Sequence, residues 1–323
     1  MLLKLKWVLL VILSIACVNA SAQAQSWPTR SVRWIVPFAA GGTSDGMSRL
    51  LADKLSEKWG QAVVVENRPG GFTVVSAVEA KNAPPDGYTL YLTFNGTMTM
   101  NPFAMSSLPY DPQRDFTPIA VFVDIPVMFI TNNTIPVKTM REFVDYVKKN
   151  PDKVSIGYAG PANQIVIGQI ANELGLKFVV VPYKSGVDVT RGLLSGEINA
   201  AVDAATTYPQ HFKDGKLRGL AITGKKRLSS VPDVPTLTEV GVTKFTEIPQ
   251  WTGVSGPAGL PVPIRNKIAA DLKEITARQD VQQRMAELGL VPTWVGPEDM
   301  AKLIPAEMKL MEPIVKEMGI NLN

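Results

Sequence analysis

The sequence predicts an α/β fold of two lobes, each a mainly parallel sheet flanked by helices, and three observations carry that prediction. Short apolar runs alternate with stretches of helical period. The alternation starts afresh near residue 126, giving a second unit with its own core. A chain of 323 residues is longer than one ordinary core accommodates. With 46% apolar and 19% charged residues and no low-complexity tract, disordered and fibrous classes are excluded.

Residues 1–24 stand apart from this pattern. Lys4 and Lys6 precede an apolar run, Trp7 to Val18, too short to span a bilayer, and Ala20, Ala22 and Ala24 follow at the spacing a signal peptidase accepts. A removed export signal is expected, cleaved after one of those alanines. Cys17, the only cysteine, falls inside it, and Ser14 Ile15 Ala16 lack the leucine that precedes a lipidated cysteine. The mature chain then has neither a disulfide nor a thiolate nucleophile. Losing Lys4 and Lys6 leaves 31 basic against 29 acidic residues, a net of +2 with no long basic run. That balance argues against nucleic acid or a membrane surface as a partner.

Val32 to Val36, between Pro28 and Pro37, predicts a buried strand, and Met47, Leu50, Leu51, Leu55 and Trp59 predict one face of a helix ending at Gly60. A strand at Val63 to Val65, a helix from Phe72 to Lys81 and a strand from Tyr88 to Thr93 follow. Asn95 to Pro118 is rich in Pro, Asn and Thr and has no period, so a long loop crossing the ligand side is expected. Apolar runs at Ile119 to Val123 and Val127 to Ile130 lead into the second unit. There Thr139 and Glu142 form a capping box for a helix with Met140, Phe143, Val144 and Val147 on one face.

Further on, strands are expected at Val154 to Tyr158, Phe178 to Val181, Ala200 to Val202 and Leu217 to Thr223. The helices between them are Gln164 to Leu174, Val187 to Ser195 and Tyr208 to Lys213. Lys225 to Pro249 reads as connection and Thr252 to Ser255 as the strand that returns the chain to the first unit. The C-terminal stretch reads as helices, from Pro263, from Val281 to Leu288, and from Pro297, where Pro305 and Pro313 are expected to bend or interrupt the last. Residues 25–125 and 248–323 are thus assigned to domain 1 and residues 126–247 to domain 2.

Phe38 Ala39 Ala40 Gly41 Gly42 Thr43 Ser44 Asp45 joins the first strand to the first helix. Two glycines able to take positive φ, leading into Thr, Ser and Asp, have the chemistry of a helix N-terminus left open to a ligand. Its unpaired N–H groups and positive dipole end favour an anion. A phosphate cradle and an ordinary turn are the alternatives, the first weakened because Met47 stands where a phosphate loop carries Lys. For enzyme chemistry the sequence offers little. His211 is the only histidine, expected at an exposed helix position, and no Gly-x-Ser-x-Gly elbow accompanies it. No catalytic residue, cofactor or metal site is expected.

Several ordered segments carry a resemblance. They include Val36 Pro37 Phe38 Ala39 Ala40 Gly41 Gly42 Thr43 Ser44 Asp45, Val65 Glu66 Asn67 Arg68 Pro69 Gly70, Asp86 Gly87 Tyr88 Thr89 Leu90, Leu108 Pro109 Tyr110 Asp111 Pro112, Val181 Pro182 Tyr183 Lys184 and Val231 Pro232 Asp233 Val234 Pro235 Thr236. In that order and spacing the chain resembles the Bug family, also called TctC-like, the periplasmic substrate-binding proteins of tripartite tricarboxylate transporters. The resemblance implies a two-lobed periplasmic-binding-protein-like fold with a ligand cleft between lobes that closes on binding. It also implies a small carboxylate ligand, inner-membrane transporter subunits as partners, a monomer, and a periplasmic location. The carboxylate would be held by N–H groups of two loops, Phe38 to Asp45 and Ala159 to Gln164, the latter including Ala162 and Asn163.

Departures from the family pattern bear on the ligand. Ile165 stands where many members carry His, and Met98 is apolar within Gly96 Thr97 Met98. If these line the ligand, an aromatic or longer dicarboxylate suits the site better than citrate or malate; otherwise neither touches it. Asp203 matches a family Asp near the cleft, where it would orient a water or a donor, or act at a hinge. Tyr183 and Lys184 follow a strand end, where ligands gather in parallel sheets. A secreted hydrolase or lyase of similar form and a ligand-presenting sensor component are the competing readings.

Overall fold

β1 (Val32–Val36) sets the pattern of the first lobe, because successive residues face opposite sides of its sheet. Val32, Trp34 and Val36 enter one apolar core and Ile35 the other. In this computed structural model the described residues are 27–183, 185–205, 208–224, 226–244, 250–317 and 319–322. The export signal expected over residues 1–24, Cys17 within it, and Lys184 lie outside them.

After β1 come α1 (Thr43–Trp59), β2 (Val63–Asn67), a short turn of helix Gly71–Thr73, α2 (Val74–Lys81) and β3 (Thr89–Phe94). A π-helical turn Gly96–Met100, α3 (Asn101–Ala104) and β4 (Phe116–Asp124) complete the first pass. The second lobe holds β5 (Val127–Asn132), α4 (Met140–Lys149), β6 (Ser155–Ala159), α5 (Pro161–Leu174), β7 (Val179–Tyr183), α6 (Gly186–Ser195), β8 (Ala200–Ala204), α7 (Pro209–Lys213) and β9 (Leu217–Ile222). The chain then returns with β10 (Trp251–Pro257), α8 (Val262–Ala277), α9 (Gln279–Glu287), β11 (Val291–Val295) and α10 (Pro297–Glu317). Among the described residues no helix is long and apolar enough to cross a membrane.

Strand order is β11-β4-β10-β3-β1-β2 in the first sheet and β7-β6-β8-β5-β9 in the second. β1 to β4 run one way with β10 and β11 antiparallel to them, and β6 to β9 run one way with β5 antiparallel. Each lobe is thus a mainly parallel sheet with helices on both faces. The reversed strands β10, third in the first sheet, and β5, fourth in the second, are each the strand that has just come across from the other lobe. α1 ends as its composition predicts, with Gly60 left-handed at φ 65° and its N–H returned to the Ser56 carbonyl at 3.0 Å. Burying Met47, Leu51 and Leu55 against Trp34 and the α8 residues Ile268 and Leu272 contributes about 2 kcal/mol per side chain.

Three expectations are corrected. Asn95 to Pro118 is not a loop throughout: it holds the π-helical turn, α3 and the start of β4. The turn has no sequence period because all five of its residues are buried, leaving no polar face. Its first N–H, from Gly96, is taken by the Asn95 side chain at 2.9 Å. Pro118 sits inside β4 without harm, since β11 flanks β4 only from Val121 to Asp124. β11 itself was not expected, and as an edge strand it tolerates Pro292. Lastly, of the bend or interruption expected at Pro305 and Pro313, interruption does not occur, since α10 is helical through both.

Candidate functional site

Strand order locates the site before any side chain does. β1 leads through α1 to β2 on one side of it, and β2 leads through α2 to β3 on the other. Right-handed crossovers then place α1 and α2 on opposite faces. Met47 and Leu51 of α1 accordingly pack with Trp34, and Ala77 and Ala80 of α2 with Ile35. The chain parts between the carboxyl ends of β1 and β3, the crevice where open α/β sheets take ligands. The second lobe repeats this around β6, with α5 and α6 in its two cores and the crevice between the carboxyl ends of β6 and β8.

In lobe 1 the loop after β1 is open to solvent from Ala39 to Gly42, with Phe38, Thr43 and Ser44 half-buried. α1 begins with no side-chain cap, and its first internal bond runs from the Gly46 N–H to the Gly42 carbonyl at 2.9 Å. Gly41 has φ 85°, whereas Gly42 has φ −81°, which any residue adopts. The need for glycine therefore falls on Gly41. Phe38 lies 5.2 Å from Phe94 between ring centroids, and its carbonyl accepts from the Asn67 amide at 2.9 Å.

Asp45, expected among the ligand-binding residues, is buried and holds the loop. Its Oδ2 accepts from the Gly41 N–H at 2.9 Å and from Arg49 Nε at 3.1 Å, while Asn67 donates to Oδ1 at 3.0 Å. Burial alone would raise its pKa, but Arg49, the Gly41 N–H and Asn67 outweigh it and hold the carboxyl below the usual aspartate range. An ionised Asp in the first turn also suits the helix dipole.

The loop after β2 was missed. Gly70, Gly71, Phe72 and Thr73 have φ of 137°, 52°, 48° and 76°. For Phe72 and Thr73 a left-handed backbone costs about 1–2 kcal/mol each. The turn is tied down by the Thr73 N–H to the Gly70 carbonyl at 2.9 Å and by Asn101 Nδ2 to the Phe72 carbonyl at 3.0 Å. The Thr73 and Thr97 hydroxyls are 2.8 Å apart.

After β3, Gly96, Thr97 and Met98 are buried. The Thr97 carbonyl accepts from the Tyr110 hydroxyl at 2.9 Å. Met98 packs into the lobe 1 core with Ile35, Tyr91 and Trp251, so its apolar character belongs to that core.

In lobe 2, α5 starts at Pro161 rather than Gln164, with Gly160 at φ 83° before it. The helix end is therefore formed by Ala162, Asn163 and Gln164. Asn163 is buried; it donates to the Ala159 carbonyl at 3.0 Å and accepts from Gln250 Nε2 at 2.8 Å. Ile165 is fully buried with Met100, Ala104 and Met311 of lobe 1, in an apolar joint between the lobes. Asp203, at the end of β8, is buried and accepts from the Tyr208 hydroxyl at 2.8 Å. Burial pushes its carboxyl up, against the Tyr208 bond. A Cβ on Gly186 would lie 2.8 Å from Asp203 Oδ2, so the loop after β7 leans on that carboxyl.

Tyr183 is not at the crevice. Its ring fills the room left by Gly157 and Gly192, where an added Cβ would fall 3.1 Å from the ring and 2.5 Å from the hydroxyl respectively. His211, expected exposed, is half-buried with Nδ1 enclosed.

Close to the joint, Glu307 of α10 is buried. It accepts from Trp251 Nε1 at 2.5 Å and lies 2.9 Å from the Thr99 hydroxyl. Burial, aided by the Asp124 charge, pushes its pKa up to about 7, against the pull of the Trp251 and Thr99 bonds.

Residues 47–320 match the model of the tripartite tricarboxylate transporter family receptor, TctC. The chain belongs to the TctC family. Among TctC relatives, it is 34% identical over 304 residues to the UPF0065 protein in the TAR-I ttuE-ttuC' intergenic region of Agrobacterium vitis, covering 92% of this chain and 87% of that one. An R. palustris protein solved with adipate is 29% identical with a TM-score of 0.84, covering 91% of this chain and 99% of that one. MatC of Rhodopseudomonas palustris, solved with bound malate, is 29% identical with a TM-score of 0.77, covering 90% of this chain and all (100%) of that one.

Proposed function

We propose that the protein is a periplasmic receptor that captures a small organic carboxylate between its lobes, closes over it, and delivers it to the membrane subunits of a tripartite transporter. The observation that carries this reading is the pair of helix ends, α1 and α5, at corresponding switch points of two sheets. Each offers backbone N–H groups and a positive dipole end, and closure strengthens both by removing water. Relatives solved with adipate and malate support a carboxylate as the ligand class. Met98 and Ile165, being packed in cores, lend no support to a less polar ligand.

The test is calorimetry with adipate and malate on the wild type and on Gly41→Val. Valine at φ 85° carries about 1–2 kcal/mol of strain with open space around its Cβ, so the fold should persist while the loop shifts. Affinity should fall at least about tenfold, the factor that 1.4 kcal/mol of lost contact produces. Unchanged affinity would remove this loop from the site.

A further inference from the structure

The segment between β2 and α2 is stitched along the lobe 1 crevice. At its start the Arg68 N–H donates to the Val36 carbonyl at 2.8 Å and Asn67 donates to the Phe38 carbonyl, both at the end of β1. At its far end Asn101 holds the Phe72 carbonyl and Thr73 meets Thr97, both partners following β3. Between these ties lies the turn in which Phe72 is left-handed at φ 48° and ψ 44°. Its side chain is 53% exposed and, among the described residues, belongs to none of the five apolar cores. An aromatic side chain in a conformation that favours glycine, half exposed on a turn tied to residues that follow β1 and β3, stands at the border of the crevice without being part of a core.

We infer that Phe72 is a specificity-determining residue: its ring is the apolar wall against which the carbon skeleton of the bound carboxylate lies, so the receptor selects carboxylates with an apolar chain over short hydroxylated ones. The inference rests on the carboxylate reading above. With the charged group at the N-terminus of α1, the next atoms of the ligand lie along the crevice that this turn borders. An apolar chain then removes its own surface and the ring's from water, while a hydroxyl placed there finds no partner on the ring.

The test is calorimetric titration of adipate and malate into the wild type, Phe72→Tyr and Phe72→Gly. Glycine suits φ 48°, so Phe72→Gly should melt no lower than the wild type without ligand. If it does not fold, Phe72→Asn, which also tolerates the left-handed region, takes its place. The wild type should prefer adipate. Phe72→Gly should weaken adipate about tenfold, which corresponds to returning two methylene groups to water, and leave malate within about twofold. Phe72→Tyr should keep the preference. Unchanged adipate affinity in Phe72→Gly, or an equal loss for both ligands, overturns the inference while the carboxylate reading stands. A wild type that binds no carboxylate overturns both.

Discussion

In lobe 1 the third residue of α1, Asp45, holds the loop before its helix through bonds that stay inside the lobe. In lobe 2 the third residue of α5, Asn163, gives one of its two bonds to Gln250, beside the first strand of the returning chain. The first clamp is charged, with Arg49 and Asn67 closing around an ionised carboxylate. The second is neutral and reaches across the joint. The buried acid near the lobe 2 crevice, Asp203, is pushed the opposite way from Asp45. If the lobes rotate as the proposed closure requires, every bond to Asp45 stays in place while Asn163 is pulled directly, so on that proposal lobe 1 is the preformed anchor and lobe 2 the part that registers closure.

The largest effect that can sharpen this contrast is expected at the joint, where Glu307 holds Trp251 next to Gln250. An unfolded glutamate loses its proton near 4.5 and Glu307 keeps its own to about 7. Between those values the folded state binds more protons, so its stability falls as pH rises through that window. Glu307→Gln should remove this fall, about 3 kcal/mol, measured as unfolding free energy in urea at pH 5 and pH 8. Parallel profiles for wild type and variant would place the joint carboxyl with Asp45, ionised throughout.

Asp45→Ala should lower stability by about 2 kcal/mol at neutral pH, a figure that allows for the half-exposed Arg49 partner. Because the Asp45 pKa is lowered, its contribution is present above the ordinary aspartate value and lost as pH falls through the lowered one. The wild-type advantage should therefore shrink in acid, the reverse of the Glu307 pattern. An advantage that grows in acid would break the comparison. The smallest effect is the coupling of Asn163 to Gln250, about 1 kcal/mol in a double-mutant cycle without ligand, read from urea midpoints. Zero coupling would put both clamps on the same footing.

Much of this architecture was legible in the residues. The strand, glycine loop and helix around Phe38 to Asp45 follow from local apolar period and turn chemistry, and the second lobe repeats those signals. What escaped was non-local or non-periodic. The bond between Asn163 and Gln250 joins residues 87 positions apart, and nothing near either one announces it. Met98 was one of two departures from the family pattern that suggested apolar ligand surface, and a fully buried π-helical turn leaves no polar face to reveal that its side chain belongs to a core. The hold of Asp45 on its own loop was hidden for a related reason: an Asp at a helix start signals either a cap or a site, and only Arg49 and Asn67 in place show the bonds it makes. Phe72 and Thr73 carry no residue-type signal for left-handed backbone, since neither favours it; Gly70 and Gly71 just ahead of them were the available hint.

β4 ends at Asp124 and β10 begins at Trp251, and these two residues are paired partners in one sheet. One step further out, the Ile125 N–H meets the Gln250 carbonyl at 3.1 Å. The whole of lobe 2 thus occupies the place of a hairpin turn in lobe 1. Exchange of everything between those two positions re-registers no strand of the first sheet. One inherited anchor can accordingly be combined with different partner lobes by recombination at a single pair of neighbouring residues.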